Sequence, residues 1–202
     1  MISFFALAGR LKHMNRWSLM RSNQVETVAS HSWEVAKIAH FLTLVKNDLT
    51  GSNIDENKVT TLAVFHDVSE VVGTDCPTPI KQLNVRVSEA FKEIDRYSSS
   101  LLMNSIPVRF QAKYRPLVCD EYANKEHKLI VKSADILSAL IKCKEEVDAG
   151  NNEFSSALKK TEQKLRKLNF KEVDYFLDNC LGSYQLNLDE LLVKAEQAHE
   201  DN

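Results

Sequence analysis

Apolar and polar positions alternate with helical spacing along most of the chain. After an amphipathic first helix within residues 1–14, this spacing predicts helices over 30–46, 56–73, 85–104, 109–122, 127–148, 153–181 and 188–199. On the helix predicted over 30–46, one apolar stripe runs at positions i, i+4, i+7, i+11 and i+14. It comprises His31, Val35, Ile38, Leu42 and Val45. The stripe predicts that His31 points into the core. His40 lies about half a turn away and is expected to be structural or solvated.

The composition favours the same fold class. Five Gly and four Pro among 202 residues are few, and residues with high helix propensity are plentiful. Because neither an internal repeat nor a linker-like tract interrupts the chain, we expect one all-α domain over residues 1–202. The two prolines of TDCPTPIKQL oppose a continuous helix, so residues 74–80 are expected to form a loop.

Charge and cysteine content narrow the possible partners. The formal net charge is -2, and 26 basic residues are interleaved with 28 acidic ones, so polymeric nucleic acid is not an expected partner. The four cysteines are tens of residues apart, which indicates reduced thiols in the cytoplasm. Arg10 and Lys12 interrupt the N-terminal apolar run well before membrane-spanning length. We therefore expect a soluble protein without a membrane partner.

Several ionisable residues interrupt apolar stretches. His66, Asp67 and Glu70 lie within LAVFHDVSEVV, and Asp135 lies within LIVKSADILSALIKC. A buried carboxylate is costly unless a partner compensates its charge. Together with His31, the two histidines and two aspartates are a reasonable ligand set for a divalent metal with open positions. The sequence therefore predicts a metal site built from the helices near 30–46, 56–73 and 127–148.

Each of these residues also has a simpler interpretation. A lone inward histidine is more often a hydrogen-bonded core residue than a ligand. Asp135 could pair with Lys132 or Lys142, and Glu70 could be a solvated acid on a helix surface. From spacing alone, three further features also have simpler interpretations. Arg16 could be an ordinary surface arginine, Trp17 a core residue, and TDCPTP only a helix terminator and turn.

Longer motifs resemble a known family. His31, the HD pair at His66 and Asp67, and Asp135 form the H…HD…D pattern of HD-domain metal-dependent phosphohydrolases. RLKHMNRWSLM, VASHSWEVAKIAH, FHDVSEVVGTDCPTPIK, KSADILSALIKC and EEVDAGNNEF are similar to bacterial 5'-deoxynucleotidases of the YfbR type, from about residue 4 to residue 190. The resemblance implies an HD-domain helical bundle and a homodimeric enzyme that removes the 5'-phosphate from deoxyribonucleoside monophosphates. We expect a divalent cofactor such as Co²⁺ or Mn²⁺.

The resemblance also implies roles for individual residues. The implied metal ligands are His31, His66, Asp67 and Asp135, and the implied catalytic groups are Glu70, Arg16 and Asp67. The implied substrate contacts are Arg16 on the phosphate, Trp17 near the sugar, Asp75 at a sugar hydroxyl, the loop residues Cys76, Pro77 and Thr78, and the ligands His31, Asp67 and Asp135. Two residues depart from the family pattern. Ser30 stands where an acidic residue is common, and Cys76 stands where an aliphatic one is common.

These residues suggest a mechanism and leave two rival functions. A divalent ion would polarise the phosphoryl group and acidify a water, which Glu70 would orient and deprotonate before passing a proton to the leaving 5'-oxygen. One rival is an HD phosphohydrolase for another nucleotide, either a triphosphate or a signalling nucleotide. The other is a non-catalytic metal-binding interaction module. The small chain speaks against the first, and the presence of Glu70 and Arg16 speaks against the second.

Overall fold

The computed structural model of the chain describes residues 1–73, 75–81 and 83–200, without the side chains of 78, 79 and 198–200. Within this part the regular structure is helical apart from one isolated β-bridge between Asn15 and Thr27, as the all-α prediction required. The α-helices are α1 (Phe4–Ala8), α2 (Val28–Thr50), α3 (Glu56–Phe65), α4 (Glu70–Gly73), α5 (Thr78–Lys81), α6 (Val85–Asn104), α7 (Val108–Val118), α8 (Lys125–Asp148), α9 (Ser155–Leu168), α10 (Lys171–Asn179) and α11 (Leu188–Glu200). Short 3-10 segments lie at Gly9–His13, Asp120–Tyr122, Asn152–Phe154 and Leu181–Gln185.

Helix α2 lies at the centre and packs against α3, α8 and α10. The His31 stripe is buried along its length, as its periodicity predicted. The largest apolar cluster joins these helices through side chains such as Leu42, Val59, Leu137 and Phe176. A second cluster beside it contains Phe4, Val68, Leu102 and Val118, which come from α1, the turn after α3, α6 and α7. The two clusters hold α2, α3 and α8 in place around the predicted ligands.

Helix α2 has well-defined ends. Thr27 accepts a hydrogen bond from the Ser30 amide at 3.1 Å, and the Ser30 hydroxyl accepts one from the Thr27 amide at 2.9 Å. This reciprocal capping box usually places Glu or Gln where this chain has Ser30. Ser30 therefore caps the helix as an acidic residue would. At the other end, Gly51 takes a left-handed φ of 69°, which glycine adopts without steric cost.

The predicted helix over 56–73 is wrong in its second half. Helix α3 ends at Phe65, residues 66–69 form a turn, and α4 starts at Glu70. The His66 ring lies 2.7 Å from the Ala63 carbonyl, the group to which the Asp67 amide would donate in a continuing α-helix. The chain continues through i→i+3 bonds such as Glu70 N to Asp67 O. The HD pair thus lies on a turn between two helices.

Three further boundaries differ from the sequence predictions. Residues 78–81 form one helical turn instead of a loop, because a proline in the first turn of a helix removes no intrahelical hydrogen bond. The segment 153–181 is divided because Asn169 adopts a left-handed φ of 53° and ends α9. Helix α7 ends at Val118, and residues 120–122 of the predicted helix form a 3-10 turn.

The structure also describes the cysteines and the hydropathy of the helices. All four cysteine thiols are free: Cys143 is buried, and the other three are partly exposed. Within the described residues, no helix combines the length and the apolar character that a membrane crossing requires.

Candidate metal centre and substrate pocket

The two histidines each direct one ring nitrogen without a hydrogen-bond partner into the site. His31 lies in the first turn of α2 and is 0% exposed, and His66 follows the last residue of α3. The His66 Nδ1 must carry the proton, because its neighbour at 2.7 Å is a carbonyl oxygen that can only accept. The His31 Nδ1 lies 3.1 Å from the Ser138 hydroxyl and 3.2 Å from a Glu26 carboxylate oxygen, and the carboxylate, which only accepts, favours the proton on this nitrogen. Each Nε2 is therefore left with a lone pair, and both are buried without a hydrogen-bond partner.

Two carboxylates lie against these nitrogen atoms. Asp67 Oδ2 is 3.1 Å from His66 Nε2 and 3.8 Å from His31 Nε2, and Asp135 Oδ1 is 3.2 Å from His31 Nε2. One ligand atom each from His31, His66 and Asp67 lies within 4.8 Å of the others. Two imidazole nitrogens whose other ring N–H is held by an oxygen, beside two carboxylates, fit a divalent cation well.

The charges of these groups reinforce one another. Burial opposes ionisation of Asp67, but the nearby His66 outweighs this effect and lowers the pKa of Asp67 to about 2. Burial likewise opposes ionisation of Asp135, yet the close contact with His31 and the charge of Lys132 hold its pKa well below the usual range. Burial lowers the pKa of both histidines, and the surrounding carboxylates more than reverse that effect. The site thus combines ionised carboxylates with two histidines in a negative electrostatic environment, which favours a proton or a cation at the ring nitrogens.

The simpler interpretation of Asp135 is partly right. Lys132 Nζ lies 2.6 Å from Asp135 Oδ2, whereas Lys142 pairs with Glu146. Because Lys132 occupies only Oδ2, the other oxygen remains directed at His31. Asp135 therefore has a lysine partner and still contributes to the cluster of histidines and aspartates.

Glu70 begins α4 and is buried, at 8% exposure, so it is not a solvated surface acid. Its Oε1 accepts a hydrogen bond from Lys81 Nζ at 3.2 Å, and its Oε2 is buried without a partner. Burial and the charge of Asp67 raise the pKa of Glu70 to about 7, against the opposing effect of Lys81. A carboxyl group that titrates near neutrality suits general acid–base chemistry.

Arg16 and Trp17 lie on the segment that leads into α2. Arg16 Nη1 is 3.4 Å from Asp67 Oδ2, which places the guanidinium beside the HD pair instead of on an open surface. Trp17 is partly buried, packs on Phe154 with ring centroids 5.3 Å apart, and donates its indole N–H to Glu26 at 2.7 Å. Trp17 also has a left-handed φ of 56°, which is rare for a large side chain.

A cavity of about 690 Å³ opens beside the cluster. The described residues that line it include the predicted site residues His66, Asp67, Glu70 and Asp135. Arg16 reaches this group through its contact with Asp67. Asp75, Cys76 and Pro77 are partly buried, and the charge of Asp75 acts on both Arg16 and Glu70. The side chain of Thr78, also a predicted substrate contact, lies outside the described residues.

Sequence reasoning missed two residues of this site. Glu26 contacts His31, Arg16 and Trp17, but it precedes α2 and so belongs to no periodic stripe. Lys81 reaches Glu70 from α5, a helical turn that begins within the predicted loop. A partner for each buried carboxylate was to be expected, but spacing along the chain does not identify which residue supplies it.

Comparison with known proteins gives consistent results. A family model described as "5'-deoxynucleotidase YfbR-like" matches residues 3–184. A 5'-deoxynucleotidase of Photorhabdus laumondii is 39% identical over 95% of this chain and 97% of its own length, and one of Vibrio vulnificus is 41% identical over 93% and 97%. Among solved structures, an HD-domain phosphohydrolase of Listeria innocua superposes with a TM-score of 0.76. The two sequences are 24% identical, and the superposition covers 92% of this chain and 90% of the Listeria chain. The superposition establishes a shared fold.

Proposed function

The chain belongs to the YfbR-like family of 5'-deoxynucleotidases, and from this membership we propose how its own residues carry out the reaction. The enzyme hydrolyses 2'-deoxyribonucleoside 5'-monophosphates to deoxyribonucleosides and phosphate. The family and the activity implied by the sequence motifs are thereby confirmed. The roles of individual residues, the identity of the cation and the assembly are proposals supported by the contacts of the described residues.

We propose that His31, His66, Asp67 and Asp135 hold one divalent cation. The observation that carries this assignment is the pair of buried Nε2 atoms, each without a hydrogen-bond partner and each beside a carboxylate. A donor set of imidazole nitrogens and carboxylate oxygens without thiolates supports Mn²⁺ or Co²⁺ as the working ion. When bound, such an ion supplies Lewis acidity towards a phosphoryl oxygen and acidifies a coordinated water.

Glu70 is proposed to act as the acid–base group. Its free Oε2 and its pKa of about 7 support a role in which it accepts a proton from the attacking water and then returns one to the leaving 5'-oxygen. Asp67 joins the two parts of the site, because the same carboxylate contacts His66 and Arg16. This contact supports a catalytic role for Asp67 in addition to metal binding.

The substrate contacts are proposed on both sides of this cluster. The planar guanidinium of Arg16 is suited to the phosphate dianion and lies beside the HD pair. Trp17 is assigned to the sugar and Asp75 to its 3'-hydroxyl, with Cys76, Pro77 and Thr78 completing the loop beside the nucleotide. His31, Asp67 and Asp135 also border the phosphate as part of the metal cluster.

One experiment tests the metal and the substrate together. Phosphate release from dUMP and UMP is measured with metal-stripped protein, before and after addition of Mn²⁺ or Co²⁺. We expect activity only with metal and a clear preference for dUMP. His66→Gln should abolish this response, whereas His40→Gln, a half-buried histidine on α2, should retain it. Full activity of the stripped protein would contradict the metal assignment, and equal turnover of the two nucleotides would contradict sugar selectivity.

We also propose a single domain that forms a homodimer in the cytoplasm. Leu117 packs against both apolar clusters, which supports one continuous core. The free thiols support a reducing compartment.

Helix α11 exposes Leu188, Leu191 and Leu192, an apolar surface of the kind that a second copy covers. Sedimentation velocity should show a dimer that Leu191→Glu weakens and Leu83→Glu, at another exposed leucine, does not.

A further inference from the structure

Glu26 occupies a position between the metal cluster and the substrate-binding segment. Its carboxylate is 13% exposed and divides its two oxygens between different partners. Oε1 lies 3.2 Å from His31 Nδ1. Oε2 accepts the Trp17 indole N–H at 2.7 Å and lies 3.7 Å from Arg16 Nε. One side chain therefore contacts a proposed metal ligand and two of the proposed substrate contacts, Arg16 and Trp17.

The backbone around Glu26 holds the same segment in place. The Arg16 amide donates to the Glu26 carbonyl at 2.8 Å, and Asn15 and Thr27 form the isolated β-bridge. Trp17, two residues after Asn15, has a left-handed φ of 56°. A residue other than glycine keeps such a conformation only where the surroundings hold it. The bond from the indole to Glu26 and the packing on Phe154 are the side-chain contacts that do so.

From this geometry we infer that Glu26 is a positioning residue that couples the metal ligand His31 to the substrate contacts Arg16 and Trp17. The inference rests on the roles proposed for those three residues. A carboxylate 3.2 Å from His31 Nδ1 favours the ring proton on that nitrogen and so keeps it off Nε2, and together with the Ser138 hydroxyl at 3.1 Å it fixes the ring plane. The same carboxylate sets the rotation of the indole. A change in Glu26 should therefore alter metal affinity and sugar selectivity together.

The carboxylate is chemically specific for this position. An ionised carboxylate only accepts hydrogen bonds, and the three side chains that face Glu26 present N–H groups. In Glu26→Gln one oxygen becomes an NH₂ group, which must face either the His31 N–H or the indole N–H. The substitution preserves the size of the side chain, but it replaces one acceptor by a donor and leaves the other N–H with a neutral oxygen, which is a weaker acceptor than a carboxylate, so both couplings are weakened.

The test uses a protein that carries Trp33→Phe, into which Glu26→Gln or the control substitution is introduced. The chain has two tryptophans, and Trp33 is 66% exposed, so its replacement leaves Trp17 as the only indole emitter. Glu34→Gln is the matched control, because Glu34 lies on α2 and contacts Lys37 and Tyr184 instead of the site. The measurements are the emission maximum of Trp17, the Kd for Mn²⁺ by calorimetry, and the dUMP-to-UMP ratio of kcat/KM.

We expect Glu26→Gln to shift the Trp17 emission, to weaken Mn²⁺ binding by about 10- to 100-fold, and to reduce the sugar ratio, while Glu34→Gln changes none of them. Wild-type emission, affinity and ratio in Glu26→Gln would overturn the inference. If the unmodified enzyme lacked sugar selectivity, the proposed role of Trp17 would fail, and unchanged emission and Mn²⁺ affinity would still decide against Glu26. Should Glu26→Gln not fold, Glu26→Asp keeps the charge but shortens the reach, and wild-type values in that variant would also overturn the inference.

Discussion

Glu70 combines burial, an oxygen without a partner and a pKa near 7. We expect Glu70→Gln to reduce kcat by about 10² to 10⁴, the usual range for loss of a positioned acid or base. Because Glu70 is not among the proposed ligands, the Kd for Mn²⁺ should stay within a few-fold of the wild-type value. Steady-state kinetics and calorimetry on the same preparation check both expectations.

The control for Glu70 is Glu89→Gln, an exposed acid on α6. This variant should keep full activity. If Glu70→Gln instead failed to take up Mn²⁺, Glu70 would be a metal ligand, and its assignment as the acid–base group would be wrong.

Trp17 and Asp75 are predicted to affect sugar recognition differently. A pocket that buries a 2'-hydroxyl without a hydrogen-bond partner disfavours a ribonucleotide by about 1 to 3 kcal/mol. This corresponds to about 5- to 150-fold in kcat/KM. Trp17→Ala should therefore narrow the dUMP-to-UMP ratio. Asp75→Asn should lower both values with a smaller change in the ratio, because both sugars have a 3'-hydroxyl. The reverse pattern would exchange the two assigned roles.

At the level of elements, Glu146 of α8 anchors the segment that precedes Glu26. Its buried carboxylate accepts hydrogen bonds from the Ser22 hydroxyl at 2.7 Å, the Asn23 amide at 2.9 Å and Asn151 Nδ2 at 2.8 Å, and it pairs with Lys142. Replacing one member of a buried charged network leaves the others without compensation. We expect Glu146→Gln to lower the free energy of unfolding by about 2 to 4 kcal/mol, measured by urea denaturation at pH 7.

The same substitution should alter the pH dependence of stability. Burial raises the pKa of Glu146, but Lys142 and the hydrogen bonds outweigh it and lower the pKa well below its usual value. The folded state therefore binds fewer protons than the unfolded state. This contribution is complete above the unfolded pKa of about 4.3 and is lost as the pH falls towards the folded one. Between pH 6 and 3, Glu146→Gln should lose less stability than the wild type.

Glu162→Gln provides the comparison for Glu146. Glu162 is a half-exposed acid on α9, 3.9 Å from Arg166. Such surface pairs contribute about 0 to 1 kcal/mol, so this variant should follow the wild-type stability curve. Equal effects of the two substitutions would show that the Glu146 network adds nothing specific.

Periodicity predicted the elements well where an apolar stripe is continuous and poorly where a side chain competes with the backbone. The His31 stripe and the core of α8 depend on spacing alone, which the sequence displays directly. The end of α3 depends on the contact between the His66 ring and the Ala63 carbonyl, which no spacing rule describes. The division at Asn169 depends on one residue with a left-handed φ.

For the site, the sequence likewise predicted the residues that interrupt apolar helices but not the residues that contact them from other segments. Inward-facing polar residues identified the cluster of histidines and aspartates, since burial makes such residues conspicuous in apolar stretches. Glu26 and Lys81 were not predicted as site residues, because they lie outside the helical stripes and the fold brings them to their partners. Tertiary packing, which the sequence does not display, decided both contacts.

For the whole molecule, metal removal should affect activity more than folding. The apolar clusters contain none of the proposed ligands, so far-UV circular dichroism should be unchanged after chelation. Activity should fall to background and return with Mn²⁺. Metal at 100 times its Kd should stabilise the folded state by about 2.7 kcal/mol, visible as a higher Tm. Unfolding of the stripped protein at 25 °C would show that the site is needed for folding.

The left-handed backbone of Trp17 links selectivity to the stability of the whole protein. Only glycine adopts such a φ without steric cost, so Trp17→Gly should relieve strain that Trp17→Ala retains. Each variant removes the indole, and the difference in Tm between them isolates the backbone contribution. A lineage that no longer needed to discriminate between sugars would gain this backbone contribution from a glycine at this position, against the loss of the indole contacts with Phe154 and Glu26. On the role proposed for Trp17, sugar discrimination and thermal stability are therefore under opposing selection at this one position.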